Sequence, residues 1–269
     1  MGTNAKLTIK QRLENFKAME KEDKRRWWGE FFIDNSLYIF LIAAIIGIAV
    51  YNPNFVSMKS IINIVSLSAA NLPIALGIAG AIILTGTDLS AGRVVGLTAC
   101  VAASLLQMAE YPNKMFPGIG TVPVPIVILA VIAIGALVGA VNGFCTAKFN
   151  LHPFIVTLAT QLIVYGTLLI YLMQGNNNGQ SVPDGKGNMV PIPNFVWYAI
   201  VITVVMWFVW NKTTFGKNMF AVGSNPEAAN VSGVNVAATT ILVFTLAGVM
   251  YGFTGFIEGA RIGANTANT

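Results

Sequence analysis

The residues best placed to do chemistry stand in one short polar run, GTDLSAGR at 86–93, set between two apolar stretches. A charge such as Asp88 or Arg93 is costly in apolar surroundings unless it is paired or wet. Gly86 and Gly92 permit backbone that leaves a helix, and Thr87, Asp88 or Ser90 could cap the next one. Two readings follow: a helix break lining a polar path, or a surface hairpin with Asp88 as the N-cap. Residue types alone favour the hairpin.

Other polar residues thread otherwise apolar sequence: Ser66, Ser68, Asn71, Asn142, Thr157, Thr160, Gln161 and Thr167. Hydrogen bonds between packed helices account for such residues at about 1 kcal/mol or less each. A path for a hydroxyl-rich solute would use the same types. The candidate translocation path is therefore Asn71, Thr85, Thr87, Asp88, Ser90, Arg93, Asn142, Thr160 and Gln161. His152 precedes Pro153 at a helix start, a position suited to an interface rather than to proton transfer. No phosphate loop, zinc spacing or nucleophile elbow occurs in the sequence. Cys100 and Cys145 read as buried thiols, with no metal set around them. The chain reads as a non-enzyme without a cofactor or metal of its own.

These residues must be held by membrane helices. Charged residues are 10% of the 269, hydrophobic residues 55%, and mean hydropathy is +0.68. Soluble domains carry roughly 25% charged residues. Apolar runs recur at lengths near the about 20 residues a helix needs to cross a bilayer. Backbone in lipid must satisfy its own polar groups, so the runs are helices. The sequence predicts an all-α polytopic membrane protein with about seven spans, at 35–51, 61–84, 91–108, 125–148, 153–173, 195–210 and 236–257. The pair around 85–90 fits either a tight hairpin or a broken helix.

Residues 1–34 read as a separate arm, with 35–269 as the membrane domain. Eight of the 16 Lys and Arg residues lie in the first 26 positions, followed by Trp27 and Trp28. No cleavable signal peptide follows the charges. The arm could lie on the membrane as an amphipathic helix or be solvated. It predicts a cytoplasmic N-terminus. Alternation then puts 85–90, 149–152 and 211–235 inside, and 52–60, 109–124 and 174–194 outside. Nothing in the charge balance points to nucleic acid. The chain stops at residue 269 directly after a span, and a further C-terminal stretch is expected.

Within 211–235, the stretch 220–231 could form a short helix, expected inside 225–231 and too short to span. Asn225, Pro226 and Glu227 form its N-cap, first-turn proline and first-turn acid. Its small residues would suit close approach by a partner.

The string KTTFGKNMFAVGSNPEAANVSGVNV at 212–236 resembles the cytoplasmic coupling segment of ABC-type sugar importer permeases, the group that takes up ribose, galactose, xylose and related sugars. ILTGTDLSAGRVVGL at 83–97 and GFIEGARIGANTANT at 255–269 resemble two further hallmarks of that group, and the wording is nearest its galactose/methyl-galactoside members. The resemblance implies about ten membrane helices over a longer chain, in a bacterial inner membrane. It implies a separate ATPase subunit that holds ATP and magnesium, a periplasmic or lipid-anchored sugar-binding protein, and a second permease copy. It carries the coupling role to Phe215, Gly216, Ala221, Val222, Gly223, Asn225, Pro226, Ala228, Ala229, Ser232 and Gly233. The contrasting reading is a self-sufficient secondary carrier or channel for a small uncharged solute. Such a carrier would need ion-binding residues within the spans, and the sequence shows no chain of them.

Overall fold

A computed structural model describes residues 21–107, 114–174 and 194–262. The first twenty residues of the arm, residues 175–193 of the expected external loop at 174–194 and the stretch 263–269 lie outside the described residues. Among the described residues all regular structure is helical. The chain divides into two compact units at Ile62/Asn63.

In the first unit, α1 (Lys21–Asp34) is followed by α2 (Ser36–Tyr51), then a 3-10 turn (Pro53–Val56) and the start of α3 (Met58–Ile83). α1 and α2 meet at Asn35 with a bend of 69°. The Asn35 amide and side chain both donate to the Phe31 carbonyl, at 3.0 and 2.9 Å, closing the end of α1.

The second unit holds the body of α3, then α4 (Ala91–Leu105), α5 (Val124–Phe149), α6 (Pro153–Gln174), α7 (Asn194–Lys212), α8 (Thr214–Ser224), α9 (Pro226–Val231) and α10 (Val236–Ile262). Its centre is the α5–α10 pair, with α4 beside it. In lipid, apolar side chains gain nothing by leaving hydrocarbon for hydrocarbon, so helix pairing rests on close packing. Gly135 and Gly139 on α5 meet Gly248 and Phe244 on α10 backbone to backbone. A Cβ at any of Gly135, Gly139, Gly248 or Gly252 would overlap a carbonyl of the facing helix. Gly255 of α10 packs on α4, where a Cβ would overlap the Thr98 hydroxyl. Val94, Leu97, Val127, Val131, Leu168 and Ile257 fill the space around these contacts.

Helices stand at all seven expected positions, as an all-α polytopic membrane protein requires. Among the described residues, four helices are long and apolar enough to cross a membrane alone: Met58–Ile83, Val124–Phe149, Pro153–Met173 and Val236–Ala260. The number rises to six if each of two bent pairs counts as one span. Ala91–Leu105, at 15 residues, is a shorter apolar helix. It reaches only about 22 Å, and its first turn follows the non-helical stretch 86–90. The short helix expected at the Asn-Pro-Glu start stands as Pro226–Val231, and a separate helix, Thr214–Ser224, precedes it. Asn225 is extended, with φ −158°, and separates α8 from α9.

Candidate functional site

The polar run begins where α3 ends. The Thr85 amide donates to the Ile82 carbonyl (2.8 Å) and the Gly86 amide to the Ala81 carbonyl (3.0 Å), which is a Schellman ending. Its left-handed position falls on Thr85 (φ 57°), not on the neighbouring glycine. Gly86 instead gives room for Pro153, since a Cβ there would sit 3.1 Å from Pro153 Cγ.

From Gly86 the chain runs into protein. The Thr157 hydroxyl on α6 donates to the Thr87 carbonyl (3.1 Å) and accepts from the Leu89 amide (3.1 Å), pinning the segment on both sides. Asp88 Oδ1 accepts from the Ser90 amide (2.9 Å) and the Ser90 hydroxyl (2.6 Å). Asp88 Oδ2 accepts from the Tyr251 hydroxyl on α10 (3.0 Å). Asn142 Nδ2 on α5 donates to Ser90 Oγ (3.0 Å), and the Thr160 hydroxyl on α6 donates to Asn142 Oδ1 (2.6 Å). The chain of hydrogen bonds ends on the Asp88 carboxylate, and the Thr160 hydroxyl at its far end also lies 3.0 Å from the Val156 carbonyl. A buried carboxylate is tolerable when its lone pairs are met by donors in this way, because hydrogen bonds to a charged acceptor exceed neutral ones in strength.

The surface hairpin capped by Asp88 is therefore not what forms. Asp88 (7% exposed) and Ser90 (0%) are buried. Ser90 holds the N-cap position but makes no side-chain cap bond, because its hydroxyl is turned to Asp88. The structure brings together Asp88, Ser90, Asn142 and Thr160, and adds Thr157 and Tyr251. Tyr251 had a readable signal: a phenol inside an apolar run needs a partner for its hydroxyl. The other path candidates stand apart. Asn71 is exposed and donates to Leu67 of its own helix (3.0 Å). Thr85 is exposed and donates to the Leu84 carbonyl (2.7 Å). Thr87 joins through its backbone alone, Arg93 lies over the Tyr165 ring at 4.4 Å, and Gln161 is half-buried beside Thr160.

The network makes a first prediction. In Asp88→Asn the side chain keeps one acceptor for Ser90, and its amide can donate to a reoriented Tyr251 hydroxyl. In Asp88→Ala three donors lose their acceptor, at about 1–3 kcal/mol for each buried group left unsatisfied. The thermal-aggregation midpoint in detergent should fall much further for Asp88→Ala than for Asp88→Asn. Equal falls would mean that the hydrogen bonds do not hold the segment.

The second cluster is α8–α9. α7 and α8 meet at a 68° bend. Thr213 caps α8, accepting from the Gly216 amide at 3.2 Å, and a Cβ at Gly216 would overlap the Trp210 backbone. Phe215 and Met219 help line a small apolar crevice with Gly77, Gly80, Met206 and Val243. Gly216, Met219, Val222 and Ala229 are buried. Gly223 fits against the carbonyl of Ile83 at the end of α3, where a Cβ would overlap it. Asn225 caps α9, accepting from the Ala228 amide at 3.0 Å, with Pro226 in the first turn and Glu227 near the positive helix end. A second Schellman ending closes α9, with Gly233 at φ 84°.

The family-derived coupling residues thus divide. Gly216, Val222, Gly223 and Ala229 face inward, and Phe215 is half-buried. Ala221, Asn225, Pro226, Ala228, Ser232 and Gly233 are exposed, together with Phe220 (46%) and Val231 (89%). The small size of Gly223 answers a contact inside the chain. Among the described residues no group of three or more His, Cys, Asp or Glu could hold a metal.

Residues 60–269 match the family described as branched-chain amino acid transport system / permease component. The chain is 43% identical to the galactose/methyl galactoside import permease protein MglC of Salmonella typhimurium (strain LT2), over 93% of this chain and 76% of that protein. It is 43% identical to the protein of the same name in Escherichia coli (strain K12), over 87% and 73%. It is 30% identical to the ribose import permease protein RbsC of Haemophilus influenzae, over 91% and 74%. No solved structure matches the chain.

Proposed function

Since the chain belongs to the branched-chain amino acid transport system / permease component family, we propose that it is the membrane subunit of an ATP-driven, binding-protein-dependent importer of galactose or methyl galactoside. The observation that carries the substrate is the 43% identity to galactose/methyl galactoside import permeases, against 30% to a ribose import permease. The reading includes a separate ATPase subunit holding ATP and magnesium, an external sugar-binding protein and a second permease copy. It sets the chain in a bacterial inner membrane with the N-terminus in the cytoplasm, as the basic arm favours.

In this account the permease makes no covalent bond. The exposed face of α8–α9 receives the ATPase, and its inward face carries the movement. Gly223 bears on the end of α3, one turn before the segment that Asp88 ties to α5, α6 and α10. Movement of α8 therefore has a short, solid route to the helix break. Such transmission requires a two-state element with different contacts in each state, and the α3–α4 break is the candidate.

Uptake measures the substrate directly. In cells expressing the transporter with its ATPase and binding protein, radiolabelled galactose uptake should be competed by unlabelled galactose and methyl galactoside. Ribose and leucine in the same excess should leave it nearly unchanged. Competition by leucine and not by galactosides would move the assignment to amino acid transport. Competition by ribose alone would move it to the ribose-type relatives.

A further inference from the structure

α1 presents a side-chain pattern that the transport account leaves unused. At about 100° per residue, Lys24, Trp27, Trp28, Phe31 and Phe32 fall on one face of the helix. Glu22, Asp23, Arg26, Gly29, Glu30 and Ile33 fall on the other, with Arg25 and Asp34 at the boundaries. The aromatic rings form a continuous strip: Trp27 stacks on Phe31 at 5.4 Å between ring centroids, and Trp28 lies against Phe32 at 5.8 Å. All four rings are exposed, from 39% for Trp27 to 53% for Phe32.

The next element identifies what the strip meets. Only Asn35 separates α1 from α2, whose sequence SLYIFLIAAIIGIAVY contains no charge. A charge-free helix of this kind stands in hydrocarbon, and the 69° bend turns α1 away from its direction. A helix leaving a membrane-standing segment at that angle runs along the boundary layer, where tryptophan is favoured. Lys24, Arg25 and Arg26 stand together just before the aromatic strip, in a helix whose basic residues are matched in number by Glu22, Asp23, Glu30 and Asp34. Their charge suits anionic headgroups.

We propose that α1 is an interfacial anchor: its aromatic face lies in the headgroup layer of the leaflet at its end of α2, and its basic residues hold anionic phospholipid there. With the N-terminus inside, as proposed above, that leaflet is the cytoplasmic one. The anchor itself does not depend on the side, nor on the transported solute.

The test uses the full-length chain in phosphatidylcholine vesicles, with Trp197, Trp207 and Trp210 replaced by phenylalanine so that only Trp27 and Trp28 emit. Phospholipid brominated near the top of its acyl chains should quench most of the emission, deep bromines should quench little, and aqueous acrylamide should quench weakly. Adding phosphatidylglycerol should weaken acrylamide quenching further, and Arg25→Gln with Arg26→Gln should remove that increment. Strong acrylamide quenching with no effect of bromine would overturn the anchor in favour of a solvated arm. Strongest quenching by deep bromines would overturn it in favour of a helix inserted with α2. If the tryptophan replacements lower recovery, a polarity-sensitive thiol label serves instead, in a chain whose two cysteines are replaced by alanine. The label should report an apolar setting from Phe32→Cys and water from Glu30→Cys, and equal emission at both would overturn the proposal. Sugar uptake is read separately, so failure of the transport assignment leaves this outcome untouched.

Discussion

Gly135→Leu should leave almost no correctly assembled protein in the membrane. The first atom of any side chain there would overlap the Gly248 carbonyl, and Gly139 and Gly252 repeat the conflict one turn away in each direction along the seam. Backbone cannot yield as a flexible side chain can, so the α5–α10 pair must separate along its length. Overpacking of ordinary cores costs about 1–3 kcal/mol. A rigid contact in lipid should exceed that range, since close packing is the main attraction there. A loss of about 3 kcal/mol shifts the folded-to-unfolded ratio more than a hundredfold. Separation would also draw Tyr251 from Asp88, because Gly248 and Gly252 flank that tyrosine on α10. The check is the amount of protein recovered from membranes and its thermal-aggregation midpoint, with Gly92→Leu and Gly166→Leu as controls. A Cβ at either control meets nothing within 4 Å. Loss equal to that of Gly135→Leu in both controls would show general intolerance of bulk instead of a glycine seam.

The helices were legible in the sequence because a bilayer imposes so plain a pattern. The expected 61–84 and 125–148 stand as Met58–Ile83 and Val124–Phe149. The cap at Asn225 was legible too, since Asn-Pro-Glu satisfies a helix start locally. What long-range contact decides was not legible. Asp88 has every property of an N-cap, yet Tyr251, 163 residues away, gives it a buried role. Ser90, Asn142 and Thr160 were candidates by type, but their order in a single chain of hydrogen bonds depends on how α4, α5 and α6 meet. Gly223 invited the same error in reverse. Its small size suited an outside partner, whereas Ile83 of the same chain fills the space. Gly86 also misled, since the left-handed turn falls on Thr85 and the glycine serves Pro153.

The central claim is that the outward face of α8–α9 receives an ATPase, and Gly223 is the wrong residue with which to test it. A bulky side chain there collides with Ile83 and would report folding as much as docking. Ala221 and Ala228 are the better probes, because both are exposed and neither belongs to the inward set of Gly216, Met219, Val222 and Ala229. Replacing both by arginine adds bulk and charge to the face alone. Disrupting the centre of a docking surface costs about 2 kcal/mol or more, which is roughly thirtyfold in affinity. The decisive measurement is co-purification of the ATPase subunit with tagged permease carrying Ala221→Arg and Ala228→Arg, alongside galactose uptake and permease level in the same membranes. The expected result is an unchanged permease level, loss of the ATPase from the purified complex and loss of uptake. Full ATPase recovery together with normal uptake would contradict it.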